Sequence, residues 1–298
     1  MMPTLISVVI PHFNDLQHLA QCLESLRRQT MPREHFEIIV ADNNSVGGTA
    51  AVERIASDVI VVPAPEQGAG PARNAGVAVA RGIHLAFIDS DCVAHQDWLR
   101  EGIAALDRFH YVGGQVVTTI INAESPTVAE AFEAVFAFNF KKYIEKDQFS
   151  GSGNLFMPHA IFDQVGGFRA RVSEDMEWCR RANAMGFVLG YAEQAIVYHP
   201  ARRDWSDLIK RWDRFLAEDI LLAMERPGWQ YRWITHAAVV AMSPLVHWVR
   251  IVGSHRLVGS RAKWRGVLGL VGIRSYRSYR MVCLLIASLS KHRSFMKT

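Results

Sequence analysis

The sequence predicts an α/β fold: a mostly parallel sheet flanked by helices, followed by a basic, helical C-terminal extension. Three observations carry this expectation. Short, continuous apolar runs alternate with helical patterns over the first two hundred residues. Polar segments rich in carboxylates stand just past the ends of those runs. Charge is also sorted along the chain, for no Asp or Glu follows Glu225 whereas 13 Lys and Arg do. Uninterrupted apolar strands separated by helices belong to parallel sheets covered on both faces, and such sheets bind ligands at their carboxyl ends.

The elements follow in order. Leu5 to Ile10 reads as a buried strand closed by Pro11. Asn14 or Asp15 can cap the next helix, in which Leu16, Leu19, Cys22, Leu23 and Leu26 keep a helical period. Phe36 to Ala41 and Val59 to Val62 are two further strands, and Gln67-Gly68-Ala69-Gly70 is a glycine-rich entry to a helix running through Ala80. His84 to Ile88 is the fourth strand. Glu174-Asp175 opens a later helix that ends near Gly186.

Composition narrows the class. The 298 residues carry 33 basic and 29 acidic groups, a net of +4, with half of the chain hydrophobic. These are globular values, which exclude a disordered tail, a collagen-like repeat and a disulfide-stapled miniprotein. Cys22, Cys92, Cys179 and Cys283 lie far apart without a CxxC pair, the pattern of reduced thiols in a cytoplasmic protein. The opening Met1 to Ile6 lacks a basic leader region and a cleavage site, so it reads as the approach to a first strand.

The polar strand ends hold the chemistry. Pro11-His12-Phe13-Asn14, Asp42-Asn43-Asn44-Ser45 and Asp89-Ser90-Asp91 are expected to converge on one cleft. Two carboxylates one residue apart can hold Mg²⁺ or Mn²⁺, whose shell is then completed by phosphates and water. The same triplet also suits a plain turn with a helix cap. Glu174-Asp175 admits the same two readings, site carboxylates or simple capping at a helix N-terminus.

Taken together, Val8-Val9-Ile10-Pro11-His12-Phe13-Asn14, Ala41 to Ser45, Gly70-Pro71-Ala72-Arg73-Asn74-Ala75-Gly76 and Phe87 to Asp91 resemble the ordered motifs of the family 2 glycosyltransferases. Gly151-Ser152-Gly153-Asn154-Leu155-Phe156, Gly166-Gly167-Phe168 and Ser173-Glu174-Asp175 through Arg181 continue the series, so the resemblance covers about Leu5 to Pro200. It implies a GT-A type nucleotide-binding sheet, a nucleotide-diphosphate sugar donor (UDP-linked), a divalent metal and inversion at the anomeric carbon. On that basis Pro11, Phe13 and Asp42 face the base and ribose, and Arg73 and Asn74 lie near the donor. Asp89 and Ser90 sit at the ribose or metal, Asp91 is the main metal ligand, and His199 completes the metal site. Gly153 and Asn154 belong to the floor beneath the donor sugar. Asp175 is the implied general base, with Glu174 bonding the acceptor or orienting the site. Plainer alternatives are a turn cap for Asp42, a surface helix residue for Arg73 and a structural role for His199, while Trp178, Trp205 and Trp212 suit either stacking on an acceptor sugar or core and interface packing.

The expected organisation is a catalytic domain over residues 1–200, with its nucleotide-sugar half at 1–118 and acceptor side at 119–200, and a helical region at 201–298. The first 225 residues hold 20 basic against 29 acidic groups, a net of −9, so an acidic body joins a basic tail. Trp233 to Val249 is uncharged but contains His236, Pro244 and His247, and falls short of the ~20 apolar residues of a spanning helix. Interleaved with arginines and aromatic residues, the tail reads as amphipathic helices on a membrane surface, or as a subdomain or oligomer interface. No nucleic-acid module accompanies it. The reading is an inverting transferase acting on a glycan or lipid-linked acceptor in surface polysaccharide assembly, peripheral at the cytoplasmic face of the membrane. A sugar nucleotidyltransferase and a catalytically silent glycan-binding scaffold are the alternatives.

Overall fold

A computed structural model describes residues 6–295, with side chains as far as residue 290. The opening Met1 to Leu5, where the sequence placed the start of the first strand, and Lys297 of the basic tail lie outside the described residues. By compactness the chain divides into two units, residues 1–117 with 138–200, and residues 118–137 with 201–298. The segment 118–137, assigned from sequence to the acceptor side of the first domain, therefore groups with the tail.

The first unit is built on an eight-stranded sheet, ordered β3-β2-β1-β4-β7-β6-β8-β5. Its strands are β1 (Ile6–His12), β2 (Phe36–Asp42), β3 (Ile60–Pro63), β4 (His84–Ile88), β5 (Val93–Ala94), β6 (Tyr111–Thr119), β7 (Asn154–Pro158) and β8 (Leu189–Pro200). β1 pairs in parallel with β2 and β4, and β2 with β3, as the apolar runs predict. β7 pairs antiparallel with β4 and β6, and β5 with β8, so the far half makes the sheet mixed. The fully buried β1 and β2 explain why their sequences show no alternation.

Helices α1 (Leu16–Arg27), α2 (Gly48–Glu53), α3 (Ala69–Val77) and α4 (Trp98–Ala105) flank this sheet. Asp15 caps α1 by accepting from the His18 N–H at 3.2 Å. α5 (Val128–Phe136) belongs to the second unit, whereas α6 (Phe140–Glu145), α7 (His159–Val165) and α8 (Glu174–Ala184) return to the first. Trp98, Tyr111, Phe156 and Trp178 are fully buried, which assigns Trp178 to the core. Its indole N–H donates to the Gly166 carbonyl at 2.9 Å. Cys22, Cys92 and Cys179 are buried and unbridged. Burial pushes the Cys179 thiol up to about 12 and raises the other two well above their ordinary value, so all three stay protonated.

The second unit consists of α5 with α9 (Trp205–Met224), α10 (Trp229–Met242), α11 (Pro244–Val252) and α12 (Gly259–Phe295). The uncharged Trp233–Val249 stretch is broken at Ser243-Pro244, where Pro244 begins α11. Gly269 of α12 lies so close to α5 that a Cβ there would stand 2.7 Å from the Val128 carbonyl oxygen. Glu133 on α5, almost fully buried, accepts from Arg202 at 3.1 Å and Arg211 at 2.7 Å. Trp212 packs under Arg277, whose guanidinium stands 3.7 Å from its ring, so it is an interior residue of this bundle. Trp205 packs along Gly272 while remaining partly exposed.

Gly102 on α4 gives the tightest test of the first unit's packing. A Cβ there would lie 2.3 Å from the Phe156 ring. Gly102→Ala is expected to destabilise the protein by about 1–3 kcal/mol through overpacking, read as a lower urea midpoint at unchanged m-value.

Candidate functional site

The site is assembled where the parallel strands end. His12, the last residue of β1, is almost wholly buried. Its Nε2 accepts from the Asp15 backbone N–H at 3.2 Å, so the proton resides on Nδ1, which donates to Asp42 Oδ1 at 3.0 Å. The other Asp42 oxygen accepts from the Ser45 N–H at 3.2 Å. Asp42 is thus a buried, oriented carboxylate at the end of β2. Pro11 is half-buried and Phe13 half-exposed just beyond it, an apolar ring presented beside a fixed carboxylate.

Asn43 holds the next wall. Its Nδ2 donates to the carbonyls of Ala64 and Glu66, and its Oδ1 accepts from the Gly68 N–H. The glycine-rich entry to α3 is thereby tied to the end of β2. Sequence reasoning assigned no role to His12 or Asn43, although both stand in the polar segments it singled out.

Arg73 is the centre of the carboxylate cluster. Only 3% of it is exposed, and its Nη2 donates to Asp89 Oδ1 at 2.5 Å and its Nη1 to Glu174 Oε1 at 3.0 Å. Burial opposes its charge, but the fields of Asp89, Glu174 and Asp175 outweigh that and hold the guanidinium above its ordinary value. Its Nε is buried with no hydrogen-bond partner. The plain alternative for Arg73, an exposed helix residue, is therefore excluded.

Local geometry explains how the acids come together. β4 pairs with β7 through Ile88 and Asn154, which sets Asp89 beside Gly153. A Cβ on Gly153 would fall 2.4 Å from Asp89 Oδ2, so the glycine makes room for that carboxylate. At the other end of the turn, a Cβ on Gly151 would stand 3.6 Å from Asp175 Oδ2. Asp175 and Glu174 occupy the first turn of α8, where helix N–H groups favour negative charge; Asp175 Oδ1 accepts from the Met176 N–H at 2.8 Å. Arg181 anchors the same helix by donating to the Gly167 carbonyl at 2.7 Å.

A second, smaller group lies at Asp91. His199 Nε2 is 3.2 Å from Asp91 Oδ2, while His199 Nδ1 is 2.7 Å from the Pro200 carbonyl oxygen. A carbonyl only accepts, so Nδ1 carries a proton, and Nε2 is the nitrogen that faces the Asp91 carboxylate. An imidazole nitrogen and a carboxylate oxygen suit Mn²⁺ or Mg²⁺ with phosphate and water as further ligands. Among the described residues no group of three or more His, Cys, Asp or Glu is arranged to hold a metal alone. The ring of His199 also packs 4.6 Å from that of Phe138, a residue held at φ 54° in the left-handed region.

Three of the residues singled out from the sequence make defined contacts within the protein. Asp89, expected at the ribose or metal, receives a hydrogen bond from Arg73 through Oδ1 and remains partly exposed. Asn74, expected at the donor, accepts from the Phe168 N–H and donates to the Phe168 carbonyl, both at 2.8 Å. It is a clamp on the Gly166-Gly167-Phe168 loop. Asn154, expected in the sugar floor, is fully buried; it accepts from Trp98 Nε1 and donates to the Gln115 and Ala195 carbonyls, each at 2.9 Å. Ser90 lies half-buried between Asp89 and Asp91.

Replacing Asn154 by Ala strands one donor and two acceptors in the core. A loss of at least ~3 kcal/mol is expected in urea unfolding, with nucleotide affinity per folded molecule unchanged.

Comparison with known proteins places these features. Glycosyl transferase family 2 matches residues 7–172, which takes in β1 through the loop before α8. Glycosyltransferase AglE of Haloferax volcanii is 33% identical over 215 residues, covering 69% of this chain and 70% of that one. Among solved structures, the mannosyltransferase PcManGT of Pyrobaculum calidifontis, in complex with GDP-Man and Mn²⁺, aligns over 98% of this chain and 87% of its own, with a TM-score of 0.58 and 18% identity. TarS 1–349 of S. aureus in complex with UDP aligns over 93% and 91%, with a TM-score of 0.51 and 16% identity. Those two likenesses establish the GT-A fold. Since the family covers more than half of the chain and AglE agrees with it, the protein belongs to glycosyl transferase family 2 and is a glycosyltransferase.

Proposed function

We propose that this glycosyltransferase is inverting and metal-dependent, and moves a sugar from a nucleotide diphosphate, UDP in the first instance, to a hydroxyl of a glycan or lipid-linked acceptor. Surface polysaccharide assembly at the cytoplasmic face of a membrane is the setting this implies. One observation supports it most: the buried Arg73 gathers Asp89 and Glu174 at the end of β4 within the field of Asp175, and Asp91, two residues on from Asp89, pairs with His199.

In this reading Phe13 stacks on the base, and Asp42, fixed by His12, accepts from its imide N–H. Asp91 and His199 would hold a divalent cation, which would supply positive charge to the departing diphosphate. Arg73 keeps Asp89 in place to receive the ribose hydroxyls and keeps Glu174 turned toward the pocket. Asp175 accepts the proton of the acceptor hydroxyl as that oxygen attacks the anomeric carbon from the face opposite the leaving group. Inversion follows from that single in-line displacement. The names of the relatives support a nucleotide-sugar donor, since one solved neighbour is described with UDP and another with GDP-Man.

Two measurements check the assignment. Asp91→Asn should lose at least 10²-fold in transfer and raise the Mn²⁺ concentration needed for nucleotide binding, with the melting temperature little changed; unaltered metal dependence would remove Asp91 from the ligand set. Asp175→Asn should bind the donor with wild-type affinity and lose 10²–10⁴-fold in kcat, as expected when a general base is removed. Transfer at the wild-type rate would exclude Asp175 from that role.

A further inference from the structure

The second unit exposes apolar side chains in a manner unusual for a surface in water. On α11 the face containing His247 and Ile251 packs inward, and Ile251 is wholly buried. The remaining surface presents Leu245, Val246, Trp248, Val249 and Val252, with Leu245 67%, Val246 64% and Val249 52% exposed. Val239 and Met242 extend the patch onto α10, at 61% and 60%. Scattered exposed apolar residues need no explanation, but a contiguous run over two consecutive helices marks an interaction surface.

Charge on the same unit identifies the occupant. Residues 118–137 and 201–298 hold 18 basic against 9 acidic groups, a net of +9. Every acidic residue precedes Arg226, so α10, α11 and α12 carry none. Two of the nine acids are met by buried or half-buried partners: Glu133 by Arg202 and Arg211, and Asp213 by Arg280 at 2.7 Å and the Tyr276 hydroxyl at 2.8 Å. His236 and His247 lie in a positive field as well. Burial first, then Arg277 and Arg274 for one and Arg274 and Arg250 for the other, holds both below the usual imidazole value. They add no charge at neutral pH, whereas the arginines always do.

Length decides how such a surface meets a bilayer. Among the described residues no single helix is long and apolar enough to cross a membrane, and the α10–α11 pair qualifies together only across a 46° bend. At ~1.5 Å per residue, 14-residue α10 and 9-residue α11 are each shorter than the ~30 Å hydrocarbon core. An amphipathic element of this size lies in the interface with its apolar face sunk ~5–10 Å.

We propose that the α10–α11 elbow is a monotopic anchor, laying Leu245, Val246, Val249 and Val252 into one leaflet of an anionic bilayer while the surrounding arginines engage its headgroups. This deepens the peripheral-membrane part of the reading above and rests on it only for the nature of the acceptor. A protein partner for the patch would need matching acidic and apolar surface, and a second copy of this chain brings the same positive charge to the contact. An anionic lipid surface meets both features at once.

Co-sedimentation of the full chain with 100-nm vesicles tests the anchor without donor, metal or acceptor. Partitioning onto phosphatidylcholine–phosphatidylglycerol vesicles (about 7:3) should exceed that onto pure phosphatidylcholine at least ten-fold, and fall as salt is raised. Leu245→Glu with Val249→Glu should remove at least ten-fold of the partitioning to the mixed vesicles while nucleotide-sugar binding stays unchanged. The milder Leu245→Ser with Val249→Ser should lower it in the same direction, which separates the anchor from a folding defect. Wild-type protein that stays in solution, partitioning that ignores both pairs of substitutions, or a dimer dispersed by them in the absence of vesicle binding would each overturn the proposal. Because the assay is blind to catalysis, failure here leaves the transfer chemistry standing, and failure of donor turnover leaves the anchor standing.

Discussion

The buried contact of Arg73 with Asp89 and Glu174 is the constraint on which the site depends. A guanidinium that is 3% exposed survives only because two carboxylates meet it directly and a third contributes field. Removing either direct partner would leave charge stranded in low dielectric, a cost of several kcal/mol. The same contact spans 101 residues of sequence, joining α3 to the first turn of α8 and to the end of β4. It therefore fixes where Glu174 and Asp89 stand, and Asp175 follows because it shares the helix turn with Glu174.

Small residues make that contact possible. Gly70 leaves 3.2 Å between a notional Cβ and the side chains of both Glu174 and Phe168, and Gly153 yields its space entirely to the Asp89 carboxylate. The acids pack against main chain because no Cβ stands between them. Backbone clamps complete the arrangement: Asn74 grips Phe168, Asn154 ties β7 to its neighbours, and Asn43 ties the glycine-rich entry to β2. Three asparagines thus use their amide groups on the scaffold.

Much of this was legible from the amino-acid sequence because apolar continuity and strand-end polarity are local signals. β4 falls at His84–Ile88 as read, and β1 and β2 extend only one or two residues beyond their expected ends, since ladder pairing continues through Pro11-His12 and Asp42. The antiparallel half was harder to see: β5 has two residues, and β6 is interrupted by Gly113 and Gly114, which admit Ser150 and Asn154 against the backbone. At the site, residue type alone could not distinguish a polar side chain aimed at a ligand from one aimed at the scaffold. Asn74, Asn154 and Asp89 all stand in the segments singled out, but their partners lie on other elements: the Phe168 loop, Trp98 of α4 and Arg73 of α3. His12 was passed over for the converse reason, because its importance lies in a buried contact to Asp42 thirty residues away.

The two units solve opposite electrostatic problems with the same rule. In the first, which carries 15 basic against 20 acidic groups, one buried cation gathers several anions. In the second, a buried anion, Glu133, gathers the cations Arg202 and Arg211, and Asp213 engages Arg280 and Tyr276. In each unit a deeply buried group of the minority sign, Arg73 in one and Glu133 in the other, is met by partners of the majority sign. An acidic body repels a doubly charged diphosphate, and a bound cation would offset that repulsion. A basic bundle carries no such need, and its surplus remains available for an anionic surface. The sorting of charge along the chain is thus the linear trace of two units of opposite net charge, −5 and +9.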